Sequence, residues 1–424
     1  MANNMDNYTF HAKRQANTPI AWVPSLYFAE ALPYMAVMTL SVVMYTNLGL
    51  TNTQLALYTS WLYLPWVIKP LWSPLVDSLR TKRWWILAMQ LLVGASLAAV
   101  ALSLQTAMWI KLSLAAFWIM AFSSATHDIA ADGMYILGLS EKDQAFYVGW
   151  RSTFYRIGSI FCQGLLVIMA GYLEKKYNVP VAWSITLGLM GAIMIVLASW
   201  HTVMLPRPAN DVAMPVASEN GNLLRTFLSK KGVFTAVLFM LLFRLPEAQL
   251  AKMAQPFMLR SQAEGGLGLS TMSVGYAYGT LGAIGLLIGG IVAGWLVSRN
   301  GLRRWWWPMV LAISLPDVVY VYLAYAQPSS LWIINACVFT EQFGYGFGFA
   351  AYSLFLVYFS RGEYSTSVFA ICTAFQALGM MLPGMIAGHL ADTLGWINFF
   401  YFVCVCCIAT FIVSALVKLP EDVS

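Results

Sequence analysis

A chain of 424 residues in which apolar stretches long enough to cross a bilayer return a dozen times has few ways to fold. Inside a bilayer no water pairs with backbone N–H and C=O groups, so a crossing segment must satisfy them internally, which a helix of about 20 residues does. The apolar segments fall at about 20–46, 54–76, 84–106, 109–137, 148–173, 181–204, 233–258, 273–297, 305–326, 331–359, 366–391 and 396–418. Only 10% of the residues are charged, against roughly 25% in an ordinary soluble domain. The expectation is an all-α polytopic membrane protein of twelve transmembrane helices.

The loops orient it. Lys13, Arg14, Arg80, Lys82, Arg83, Lys142, Arg207, Arg225, Lys230, Lys231, Arg299, Arg303, Arg304, Arg361 and Lys418, fifteen cations, fall on the N-terminal side. Only Lys175, Lys176 and Arg260 fall opposite. Basic residues concentrate on the cytoplasmic face, so both termini are expected there. The first apolar stretch is too long for a cleaved signal, which predicts an uncleaved N-terminus. The net charge of +6 is scattered through short loops without a basic face, which argues against a nucleic-acid partner. Cys162, Cys337, Cys372, Cys404, Cys406 and Cys407 lie in apolar segments without zinc-type spacing, so neither a metal site nor a disulfide framework is expected.

One long hydrophilic connection, Pro206–Lys231, divides the chain into residues 1–205, a cytoplasmic linker 206–232 and residues 233–424. A repeat supports two pseudo-symmetric six-helix halves. Glu30 in Tyr27-Phe-Ala-Glu answers Glu247 in Arg244-Leu-Pro-Glu at an offset of 217. Gly171-Tyr-Leu-Glu before Trp183 answers Gly388-His-Leu-Ala-Asp before Trp396 at the same offset of 217. Ser73-Pro-Leu-Val-Asp77 with its basic cluster corresponds to Gly294-Trp-Leu-Val-Ser298. Two such halves joined by a cytoplasmic loop are the pattern of secondary transporters, whose site lies at the repeat interface near the midplane.

Charges inside the apolar segments point to that site. A carboxylate at the bilayer centre costs about 2.5–3.5 kcal/mol on insertion scales, so it ordinarily faces a wet cavity or a protein interior. Glu30, Asp128, Asp132, Glu247 and Glu341 stand in the first, fourth, seventh and tenth segments, which open the four three-helix units. Desolvation favours the neutral acid and a nearby cation the ionised form, so such groups can couple transport to protons. The alternatives are static pairs, Asp132 with Arg151 or Arg156, and Glu247 with Arg244 three residues before it on nearly the same face. His127 can relay protons, since imidazole ordinarily titrates near neutral pH, or can be a hydrogen-bonded packing group. Lys252 and Asp317 are further intramembrane charges, and His127, Arg244 and Lys252 are candidates for binding substrate. Tyr27, Tyr34, Phe343 and Tyr345 are candidates for stacking on a ligand, with core packing as the other reading, and the same holds for Trp61 and Tyr352. Asp77, Arg80, Lys82 and Arg83, and Arg299, Arg303 and Arg304 in the second half, are assigned to gating loops and not to the cavity. Trp84, Trp85 and Trp305–Trp307, at helix ends, are expected as interfacial anchors. Gly344-x-Gly346-x-Gly348 follows no strand, which leaves close helix packing as its meaning. With no Walker lysine, paired metal ligands or nucleophile elbow, neither catalytic residues nor a cofactor are expected, and energy is assigned to an ion gradient.

The loops after the second and eighth segments resemble the Gly-x-x-x-Asp-basic-x-Gly-basic signature of the major facilitator superfamily. Val67-Ile-Lys-Pro-Leu-Trp-Ser-Pro-Leu-Val-Asp77, the run from Ala121 to Asp132, Tyr155-Arg-Ile-Gly158 and Glu341-Gln-Phe-Gly-Tyr-Gly-Phe-Gly-Phe-Ala-Ala351 resemble the AmpG muropeptide permease family over about residues 20–400. That resemblance implies a proton symporter bringing N-acetylglucosaminyl-anhydro-N-acetylmuramic acid, with or without peptide, across a bacterial inner membrane. Two places depart from the family. Met134, Tyr135 and Gly138 stand where it tends to carry Trp-Lys and another acid, and Arg244-Leu-Pro-Glu247 stands where it usually reads Lys-Leu-Gly-Asp. A missing cation is compatible with a smaller or less anionic saccharide. The expectation is a monomeric proton-coupled importer embedded in lipid. Another oligosaccharide or a siderophore is the alternative cargo, and a non-transporting membrane sensor or receptor is the alternative from another class.

Overall fold

The computed structural model describes residues 18–213, 225–362 and 365–419. Lys13, Arg14 and linker residues 214–224 lie outside the described residues. Among the described residues all regular structure is helical, and ten helices are long and apolar enough to cross a membrane. In chain order the α-helices are α1 Val23–Met35, α2 Ser41–Asn47, α3 Asn52–Trp61, α4 Leu64–Leu79, α5 Lys82–Ser103, α6 Trp109–Gly138, α7 Glu141–Ile160, α8 Val167–Glu174 and α9 Val179–Met204. After the linker come α10 Val233–Leu242, α11 Leu245–Leu259, α12 Thr271–Val274, α13 Ala283–Asn300, α14 Leu302–Ser314, α15 Val318–Ala326, α16 Leu331–Ser360 and α17 Ser365–Leu416. π-helical turns at Ala36–Leu40, Phe161–Leu166 and Gly275–Gly282 join neighbouring α-helical pieces.

Two stretches differ from simple spans. The segment expected at 54–76 breaks at Leu62–Tyr63 into α3 and α4. Pro65 lacks an N–H, so it begins a helix more easily than it continues one. In the other direction, the segments expected at 366–391 and 396–418 form one helical run of 52 residues. At 1.5 Å per residue such a run would measure about 78 Å, far beyond a ~30 Å hydrocarbon core. Gly395, at φ 72° and ψ 162°, interrupts it. A side chain there would be strained, so glycine supplies the break.

The described chain packs as two units. Unit 1 comprises Met1–Met35, Leu71–Ser159 and Ser184–Val216, and unit 2 comprises Ala36–Pro70, Ile160–Trp183 and Ala217–Ser424. Both are assembled from segments distant in sequence. Unit 1 is centred on Trp22, Tyr27, Ile86, Ala130, Met134 and Leu205. Thr81 caps α5 by accepting from the Trp84 N–H, and Asp211, from the linker, accepts the Lys82 and Arg83 N–H groups at 2.7 and 3.1 Å. These are amides the first turn of a helix leaves unpaired.

Unit 2 has an aromatic core. Phe239 packs on Trp306, Tyr352 and Phe355 with centroids 5.5, 5.5 and 4.6 Å away. Trp306 is thus buried and not the interfacial anchor expected of it. Three consecutive tryptophans on a helix point about 100° apart, so one turns inward. Tyr352 is likewise core, donating to the Met240 carbonyl at 2.8 Å. The glycine series in α16 serves close packing as expected. Side chains at Gly344 and Gly348 would strike the Ala312 and Met309 carbonyls of α14, and one at Gly346 would strike the Leu286 carbonyl of α13.

Candidate functional site

In unit 1, α1 carries Glu30 and α6 carries His127 and Asp128 one residue apart. Ligand atoms of the three side chains all lie within 4.8 Å of one another, close enough for the charge of each to act on the others. Behind them runs a buried polar chain. Gln90 Nε2 of α5 is 3.0 Å from His127 Nε2, Gln90 Oε1 is 2.9 Å from His201 Nδ1 of α9, and His201 Nε2 is 2.9 Å from Ser25 Oγ of α1. When the Gln90 amide donates to His127 Nε2, that nitrogen accepts and neutral His127 carries its proton on Nδ1. Turning the amide over reverses the assignment, so Gln90 and His201 govern which His127 nitrogen is protonated. Gln90, His201 and Ser25 had no sequence signal, being single polar residues in apolar segments.

One turn further along α6, Asp132 meets Arg151 of α7 at 2.7 Å, half-exposed, and not Arg156. The Tyr27 hydroxyl donates to Asp132 Oδ1 at 3.4 Å, and the Arg151 guanidinium lies 4.6 Å from the Tyr27 ring centroid and 5.5 Å from that of Tyr135. Tyr27 therefore belongs to a charge clamp rather than an open stacking surface. Tyr34, at the other end of α1, is partly buried.

In unit 2, Arg244 holds Glu247 with two bonds, Nε to Oε2 at 2.6 Å and Nη2 to Oε1 at 2.9 Å, both side chains buried. Nη2 also donates to the Tyr345 hydroxyl at 2.8 Å. Phe343 stacks on Phe347 within α16, at 6.3 Å and 7°. Glu341 is buried differently: Gln342 Nε2 donates to both its oxygens, at 3.1 and 2.9 Å, and the Tyr320 hydroxyl to Oε2 at 3.4 Å. Asp317, also buried, accepts from Cys407 Sγ at 3.7 Å. Among the described residues neither acid makes an ion pair. Lys252 makes none either; its Nζ donates to Thr59 Oγ1 at 3.1 Å.

Of the residues expected at gating loops, Lys82 lays its stem against Gly133 of α6, next to Asp132. Asp77 pairs with Lys82 across the α4–α5 turn, and Arg80 lies over the Trp84 ring at 5.8 Å. Arg83 donates to the Leu205 carbonyl at 2.5 Å and to the Thr202 carbonyl. In the second half Arg299 lies 4.2 Å over Trp295, and Arg303 and Arg304 are exposed.

Long apolar helices with carboxylates buried within their spans make the chain a multi-pass membrane protein, and its sequence relations make it a transporter. The chain belongs to the Major Facilitator Superfamily, whose sequence pattern matches residues 25–384. It is similar to the anhydromuropeptide permease of Escherichia coli (strain K12), 26% identical over 346 residues covering 80% of this chain and 67% of that protein. Among solved structures, the D-xylose-proton symporter superposes with a TM-score of 0.72 over 95% of this chain and 98% of its own, at 12% identity. The nucleoside transporter NupG does so with a TM-score of 0.68 over 94% and 99%, at 13% identity. At such identities these likenesses describe the fold alone.

Proposed function

We propose that the protein is a proton symporter importing peptidoglycan-derived muropeptides, of the N-acetylglucosaminyl-anhydro-N-acetylmuramic acid type, across a bacterial inner membrane. The cargo rests on the relation to the anhydromuropeptide permease. The observation carrying proton coupling is the convergence of Glu30, His127 and Asp128 in one membrane-embedded group. A proton taken up there neutralises a carboxylate that is expensive to bury charged, and its release restores the charge, so protonation can alternate with access. Glu341 and Asp317 form a second acidic region, bonded by neutral donors only.

Counting Asn52–Leu79 as one span, and Ser365–Leu416 as two parted at Gly395, turns the ten long helices into twelve. In this reading 1–205 and 233–424 are the two six-helix halves, 206–232 is a cytoplasmic linker, both termini are cytoplasmic, and the protein acts as a monomer. The test is uptake of labelled muropeptide into proteoliposomes. Wild type should accumulate it when the outside is acidic. Asp128→Asn should abolish accumulation while keeping exchange of internal for external substrate, which needs no net proton movement. Accumulation unaffected by this substitution, or driven by sodium alone, would remove the proposed coupling.

A further inference from the structure

We propose that Lys252, Thr59, Ser60 and Tyr63 form a binding site for a compact monovalent anion, a carboxylate or a halide, between α3, α11 and α17. All four side chains belong to unit 2. Lys252 is 3% exposed, Thr59 and Ser60 are fully covered, and among the described residues no acid pairs with the ammonium. A buried ammonium without a counter-ion is one of the costlier things a protein can hold.

The donors around it are incompletely used. An ammonium carries three N–H groups. One donates to Thr59 Oγ1 at 3.1 Å, whose own hydroxyl is committed to the Leu55 carbonyl at 2.8 Å. The Tyr63 ring takes the charge on its face, 5.0 Å from Nζ to the centroid. The Ser60 hydroxyl has no hydrogen-bond partner among the described residues, although it is fully buried. It borders the same spot as the lysine. A Cβ built on Gly384 would lie 2.8 Å from Ser60 Oγ and 3.3 and 3.6 Å from Lys252 Cγ and Cε. Glycine at 384 keeps a side chain out of this tight corner, where the orphaned Ser60 hydroxyl and the stem of Lys252 meet. One anion accepting from both satisfies the hydroxyl and neutralises the charge. The single positive charge and small donor set suit a monoanion and not a phosphate or sulfate dianion. An anion seated here also ties α3, from the first half of the chain, to α11 and α17 of the second. The site stands independently of the muropeptide assignment.

The experiment is thermal unfolding of the purified full-length protein in sulfate buffer at constant ionic strength, titrated with chloride, acetate or N-acetylmuramic acid. N-acetylglucosamine serves as the uncharged control. A ligand that binds only the folded protein raises the transition temperature saturably. Wild type should show such a rise with chloride or acetate. Lys252→Met should abolish it, and Ser60→Ala should raise the half-saturating concentration at least fivefold. A rise with N-acetylmuramic acid and not with N-acetylglucosamine makes a cargo carboxylate the occupant, whereas a rise with chloride alone makes it a free halide. No response of wild type to any of the three anions, or an equal response in Lys252→Met, overturns the site. Should Lys252→Met fail to fold, an unchanged half-saturation in Ser60→Ala overturns it equally.

Discussion

Replacing Glu247 by glutamine tests how much of unit 2 depends on a single buried ion pair. The wild-type carboxylate takes two charge-assisted bonds from Arg244, at 2.6 and 2.9 Å, with both side chains under 10% exposed. Removing one partner of a buried pair costs about 3–5 kcal/mol, mostly because the other charge is left uncompensated. Arg244 would keep the Tyr345 hydroxyl at 2.8 Å and the Phe349 ring at 4.9 Å, and the glutamine oxygen could still accept one bond. The expected loss is therefore at the low end, about 3 kcal/mol, or roughly 6 °C at ~2 °C per kcal/mol. The double variant Arg244→Met with Glu247→Leu should recover most of it, since replacing both charges by apolar groups is often neutral or stabilising. Thermal unfolding of the purified variants reads the stability, and the two transport modes read the role. If the pair opens in each cycle, Glu247→Gln loses pH-driven accumulation and keeps exchange. If it is static, accumulation and exchange fall together with the folded fraction. Glu247→Gln unfolding within 1–2 °C of wild type, with the double variant no better, would refute the reasoning from burial.

Asp77→Asn should slow interconversion of transport states while ligand affinity stays within a few fold, because Asp77 pairs with Lys82 at a loop; lost binding in folded protein would place it in the cavity. Its stability should change by less than ~1 kcal/mol, as befits a pair whose acid is half-exposed. Gly388→Val should separate α3 from α17, because a Cβ there would collide with the Asn52 carbonyl. A cysteine at Ala56, buried in wild type, should then label with maleimide, and unchanged protection would refute the close approach. Tags at both termini, and a cysteine at Asn220, should report from the cytoplasm, and periplasmic labelling at Asn220 would reverse the orientation read from the loop cations.

The helices were largely legible because the bilayer imposes one length and one polarity on every span. The segments expected at 181–204 and 331–359 appear as Val179–Met204 and Leu331–Ser360. The Arg244–Glu247 pair was legible as one of two readings, since a spacing of three fixes a shared face. The choice of Arg151 over Arg156 for Asp132 was not, because it depends on the register between α6 and α7. The Ser25–His201–Gln90–His127 chain was least legible of all. Ser25 and His201 are separated by 176 positions, and a single serine or glutamine in an apolar segment looks like any other small packing residue until its partner is placed.

The repeat at offset 217 has a physical meaning in the packing of unit 2. Within unit 2, a Cβ on Gly171 would strike the backbone at Met272, where α12 begins, and one on Gly388 would strike the backbone at Asn52, where α3 begins. The acids that follow behave alike. Glu174 accepts from Thr271 Oγ1 at 2.5 Å and from Asn47 Nδ2 at 2.8 Å, and Asp392 accepts from Thr53 N and Oγ1 at 2.8 and 2.6 Å. Each acid thus reaches the first turn of a helix distant in sequence, Asp392 through the Thr53 N–H and Glu174 through the Thr271 hydroxyl, where the positive end of the helix dipole favours a carboxylate. Glycine lets the backbones approach and the acid fastens them, once in each direction. Arg260 adds a further tie, donating to the Leu50 carbonyl and to Asn52 Oδ1. A closure made of hydrogen bonds and small residues can be undone without tearing open an apolar core, which suits helices that part and rejoin.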